Sequence, residues 1–153
     1  MAFSLRFTGE PNQFLHDDPS IPSAIGQIEA GDLKEEFISS LYEWTREDYI
    51  AQWASSLRRF LAGADRAVLI TFYVNSKESS NLEWWPLYRG ESGIVHVQNH
   101  LPWYENFDRE FSVSEAESFL HDRMTVNEDG NRPSEWNVSL ADIESFVSSL
   151  DKK

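Results

Sequence analysis

Cysteine is absent from this 153-residue chain. That excludes disulfides, thiolate zinc sites and a cysteine nucleophile together, and it suits a reducing compartment. No run of 18 consecutive apolar residues occurs, so no membrane-spanning helix is expected. The opening MAFSLRFTGEPNQF has no basic region followed by an apolar core, so no signal peptide is expected either. These absences predict a cytoplasmic protein. Basic residues are scarce as well: 13 Lys and Arg stand against 26 Asp and Glu, for a formal net charge of −13. Such a surface repels polyphosphate, because nucleic-acid binding rests on cations that displace counterions. The one tight basic cluster, Arg58-Arg59, falls near the end of a predicted helix, where cations complement the helix dipole. The acidity then serves either solubility or a basic protein partner that the field would steer.

Chemical motifs are equally sparse. There is no G-x-S-x-G elbow and no glycine-rich phosphate loop of either common pattern. His96 and His100 are four apart, but the first is predicted on a strand and no third ligand follows at a usable spacing, so both read as structural or surface histidines. His16-Asp17-Asp18 reads as solvated loop charge. Asp129-Gly130 lacks the rest of a calcium loop. Asn137-Val138-Ser139 spells a glycosylation acceptor without a secretory route. Glu35 and Glu36, adjacent on a predicted strand, point to opposite faces and do not converge. No nucleophile and base are found together, so neither an enzyme, nor a metal site, nor a cofactor is expected.

What is present is a patterned, aromatic-rich chain read as a single domain over 1–153. Residues 8–23, TGEPNQFLHDDPSIPS, are irregular, and 1–23 as a whole reads as a lead-in. Strands are predicted at 24–30 and 33–41, the second ambiguous with a short helix. Thr45 with Asp48 forms a capping box, and Tyr49, Ile50, Trp53, Ala54, Leu57, Phe60 and Leu61 make a helical stripe that Gly63 ends. A helix over 46–62 follows. RAVLITFYV, 66–74, is apolar on both faces and so predicts a central strand. Residues 82–89 and 94–99 form a hairpin around Gly90–Gly93, with Pro86 predicting a bulge or an edge. Residues 100–113 read as an aromatic-studded loop, and Ser114 with Glu117 marks a short helix to about 121. Residues 126–136 form an acidic turn into a short strand, and Ser139 with Asp142 caps a last helix. The fold class is α+β with mainly antiparallel sheet, one long helix and a C-terminal helix.

The densest stretch is WWPLYRGESGIVHVQN, residues 84–99. On a regular strand Trp84 and Trp85 face opposite ways, one to the core and one to a second layer, a partner or solvent. Trp53, Trp85, Leu87, Tyr88, Val97 and Trp136 are assigned to the core. Trp103 and Tyr104, in a loop, are better interface anchors, since such aromatics are enriched at binding hot spots.

Trp85-Pro86-Leu87-Tyr88, then Val95-His96-Val97-Gln98-Asn99, then Glu128-Asp129-Gly130 with Ser134-Glu135-Trp136, stand in a specific order after Tyr42-Glu43-Trp44 and Asp48-Tyr49. In that order and spacing, over about 9–150, the chain resembles immunity proteins of bacterial contact-dependent growth inhibition systems. It looks like the type that inhibits a colicin E3-like 16S rRNA nuclease toxin. The resemblance implies a cytoplasmic inhibitor of the C-terminal nuclease domain of a sibling CdiA toxin, with a Whirly-like fold. It implies a basic partner, no membrane and no direct nucleic-acid contact. On that reading the toxin-binding residues are Trp103 and Tyr104 as anchors, with Glu105, Asp108, Glu110, Glu128 and Asp129 as acidic contacts. The alternative is a Whirly-like module that stacks single-stranded nucleic acid on exposed aromatics. A third reading, a small-ligand domain or enzyme, has no motif in its favour.

Overall fold

The computed structural model describes residues 2–9, 22–126, 130–131 and 133–151. Its architecture is α+β with two antiparallel sheets. The first sheet has strands β1 (Phe3–Phe7), β2 (Ser23–Ala30) and β3 (Leu33–Ser40) in that order. Helix α1 (Arg46–Leu61) follows. The second sheet runs β4 (Arg66–Phe72), β5 (Glu83–Arg89), β6 (Ile94–Gln98) and β7 (Glu135–Ser139), in spatial order β4-β5-β6-β7. Helix α2 (Leu140–Leu150) closes the described chain.

The lead-in expectation fails at its start, because Phe3–Phe7 is a strand. Phe3, Leu5 and Phe7 alternate with Ser4 and Arg6, the period-2 pattern of a half-buried strand. The strand pairs from Phe3↔Ala30 to Phe7↔Gly26. Gly26 has no side chain to give way: the Phe37 ring lies across it, so that an added Cβ would fall 2.2 Å from Phe37 Cζ. Residues 10–21, including His16-Asp17-Asp18, lie outside the described residues.

Both predicted capping boxes form. Asp48 N–H donates to Thr45 Oγ1 at 3.1 Å while Thr45 N–H donates to the Asp48 carboxylate at 2.9 Å. Ser139 and Asp142 repeat the exchange at the start of α2. Helix α1 buries Tyr49, Trp53, Leu57 and Phe60. The Trp53 ring stacks on Phe7 at 5.4 Å and meets Phe37 edge-on at 6.0 Å, which ties the helix to the first sheet.

The expected edge and centre of the second sheet are exchanged. β4, apolar on both faces, is the edge strand. It is nonetheless buried, because α1 lies along its open side and supplies the partners a neighbouring strand would give. Gln52 Nε2 donates to Val68 O and Gln52 Oε1 accepts from Ile70 N–H, both at 2.9 Å. Ser56 Oγ accepts from Val68 N–H at 2.9 Å, and Trp53 Nε1 donates to Ile70 O at 2.7 Å. Covering an edge in this way removes its capacity to pair with another chain. β5, expected to bulge or lie at an edge because of Pro86, is central. Its ladder with β6 runs from Arg89↔Val95 to Leu87↔Val97, lapses at Pro86, and resumes in the same register with the Trp84↔His100 bridge. The missing N–H is absorbed by that gap. The irregularity in this part of the sheet falls on β4 instead, between Ile70 and Phe72.

The short helix expected from Ser114 forms as a 3-10 helix, without the expected cap. Residues Val113–Phe119 form a 3-10 segment with a break at Glu115, and no side chain caps it. Glu117, expected as a capping partner of Ser114, instead accepts from Ser56 Oγ and from Arg59, each at 2.6 Å.

Candidate functional site

Trp84 and Trp85 point to opposite faces, and both are buried. Trp85 packs on Trp136, itself only half-buried, at 6.1 Å and donates from Nε1 to Thr71 Oγ1 at 3.2 Å. Trp84 is covered by the segment expected to be an aromatic-studded loop: Phe107 and Phe111 lie 5.8 and 6.0 Å away, stacked on each other, with the Phe119 ring tilted against both at 5.0 Å. The apolar half of residues 104–119 is therefore a second layer.

This places the residues expected to bind a partner. Trp103 is exposed. Tyr104 is half-buried, its ring beside Phe107 and Phe111 and its hydroxyl donating to Val74 O at 2.6 Å. Burial pushes its pKa up. Glu105, Asp108 and Glu110 are exposed, and Asp108 pairs with Arg109 at 2.8 Å. Glu128 and Asp129 lie outside the described residues. The described members thus share one segment, with the acids outward and Tyr104 largely inward.

A concavity that the sequence reading missed opens beside them, where β3 diverges from the second sheet. It is a groove of about 490 Å³ whose apolar walls are Ile25, Phe37, Ile38, Phe72 and Leu101. Its polar lining is Glu36, Glu83 and Asn81, and among the described residues no Lys or Arg contributes to it. The Glu83 carboxylate accepts from Thr71 Oγ1 at 2.6 Å. Burial holds its pKa above the ordinary carboxylate range; the Thr71 and Asn99 hydrogen bonds offset part of that rise, and the Glu35 charge adds to it. Among the described residues it has no ion-pair partner. A second concavity, of about 510 Å³, carries Arg66, Arg89 and Arg123. Its cations are already engaged: Arg66 with Asp122 at 2.9 Å, Arg123 with Glu135 at 2.6 Å, and Arg89 with the Phe60 and Ala64 carbonyls. Among the described residues no three His, Asp or Glu side chains gather as metal ligands.

A raised carboxyl pKa favours the folded chain when protonated, so this contribution is present at low pH and is lost as the pH rises through the folded value. Glu83→Gln, neutral and of similar shape, is therefore expected to melt higher than the parent at about pH 7, with the gap closing toward about pH 4. Thermal melts across that range check this; equal melting temperatures at neutral pH would count against a desolvated Glu83.

Residues 39–146 match the family described as the CdiI N-terminal domain. The chain belongs to this family. It is 29% identical over 124 residues to the Immunity protein CdiI of Enterobacter cloacae subsp. cloacae, covering 81% of this chain and 84% of that protein. Its fold superposes on a chain of the CdiA-CT/CdiI toxin and immunity complex from Enterobacter cloacae with a TM-score of 0.86 and 26% identity, covering 99% of each chain. The family match begins at the end of β3, so the strands that form one wall of the groove lie largely outside it. The other wall lies inside: Phe72, Asn81, Glu83 and Leu101 are contributed by segments of the CdiI domain.

Proposed function

We propose that this chain is an immunity protein that binds and neutralises the C-terminal toxin domain of its cognate CdiA. The toxin in this reading is a basic nuclease, and inhibition comes from covering its active site or its RNA-binding face. No chemistry is performed by the chain. The observation that carries the reading is the likeness, over 99% of both chains, to a protein solved in a toxin and immunity complex. The charge supports it: a protein at −13 meets a cationic nuclease with steered association, at up to about 10⁸–10⁹ M⁻¹s⁻¹ at low salt. The arginines support it too, since Arg58, Arg59, Arg66, Arg109 and Arg123 are all ion-paired within the chain, which weakens the case for a nucleic-acid groove. Trp103, Tyr104, Glu105, Asp108 and Glu110, with Glu128 and Asp129, are the contact residues proposed from the sequence. The test is co-expression with the CdiA C-terminal domain encoded beside it, scoring survival and co-purification. Rescue of growth with a stable complex is expected. Cell death with no complex overturns the reading and turns attention to titration with single-stranded nucleic acid.

A further inference from the structure

The groove between β3 and the second sheet has a chemistry that the loop acids lack. Its walls are apolar, its polar lining is two carboxylates and an amide, and among the described residues no cation lines it. Its rim is formed by Leu101 and Ile38, 58% and 42% exposed, and Leu101 also borders the adjoining depression lined by Trp103, which is 49% exposed. Single exposed apolar residues are ordinary. Three along one edge, flanking a concavity in a chain of this net charge, form a docking surface.

We propose that the groove seats a Lys or Arg side chain of the toxin domain, its apolar stem along Ile38, Phe72 and Leu101 and its cationic head against Glu83 and Glu36. This rests on the toxin-binding function proposed above. Long basic side chains are amphipathic in just this way, an alkyl stem carrying a charged head. Glu83 is already held by Thr71 and half-buried, so a docking cation meets a carboxylate that is oriented and partly desolvated before binding. Asp108, exposed and paired with Arg109, has neither property and acts chiefly on the rate of encounter. The loop acids therefore steer and the groove holds.

The experiment is a titration of the full chain against the CdiA C-terminal domain encoded with it, comparing the parent with Glu83→Gln, Leu101→Ala and Asp108→Asn. Glu83→Gln is expected to weaken binding by at least about 30-fold, because it leaves the partner's cation in the groove with only the exposed Glu36 opposite it. Leu101→Ala, at an exposed position where truncation changes stability little, is expected to weaken it by about 5-fold or more. Asp108→Asn is expected to weaken binding only modestly, by about 3-fold or less, through slower association with an unchanged dissociation rate. Parent-like affinity in both groove variants overturns the groove while leaving the immunity function standing. Failure of the parent itself to bind overturns both. Self-association of the free chain that Leu101→Ala abolishes would assign the groove to a second copy of this chain and overturn the proposal as stated.

Discussion

Trp53→Ala should lower the unfolding free energy by about 3–5 kcal/mol from lost packing alone. The ring is fully buried, stacks on Phe7 and meets Phe37 edge-on, so its removal opens a cavity between α1 and the first sheet. The substitution also strips Ile70 O of its indole donor, and an orphaned buried carbonyl costs about 1–3 kcal/mol more. Domains of this size hold about 5–15 kcal/mol in total, so the variant should be marginal at physiological temperature. Urea unfolding measures the loss. Trp53→Phe separates the two contributions: it keeps most of the ring contact and loses the hydrogen bond. If phenylalanine restores full stability, the bond to Ile70 contributes nothing and the edge-covering role of Trp53 is wrong.

Gln52→Leu is the second large effect, and its cause is different. Gln52 packs little apolar surface, yet its amide serves both Val68 O and Ile70 N–H at the open side of β4. Leucine leaves both backbone groups without partners, for a loss of about 2–4 kcal/mol. Amide hydrogen exchange gives a local readout: Ile70 should lose protection while residues of the first sheet keep theirs. A variant with parental stability and an unchanged Ile70 exchange rate would show that water replaces the glutamine without cost.

The helices were legible because their signals are local. Thr45 with Asp48, Ser139 with Asp142, and the stripe through Trp53 and Phe60 are set by neighbours within a few residues. The hairpin over 84–99 was legible for the same reason, since Gly90–Gly93 marks the turn and alternation marks the strands. β1 was hidden because five residues of alternation, cut off from the next element by an irregular stretch, carry too little pattern. The ranks of β4 and β5 were read the wrong way round. An apolar strand looks central whether a strand or a helix covers its edge, and a proline looks peripheral unless its partner strand lapses beside it. Among the proposed contact residues, the acids at Glu105, Asp108 and Glu110 are placed outward, while Tyr104 turns its hydroxyl to Val74 O.

The sequence by itself determined the class of the fold, both capping boxes, the buried stripe of α1, and a net charge suited to a cationic partner. Each follows from composition or from residues a few positions apart. Only the tertiary structure decided that Gln52 and Ser56 finish the edge of β4, that Phe107 and Phe111 roof Trp84, and that Glu83 shares a groove with Ile38 and Leu101. Those arrangements join residues from different elements. Glu83 differs from the chain's other acids only in what surrounds it, and sharing a groove with a wall 45 residues away in the chain at Ile38 leaves no mark on the local sequence.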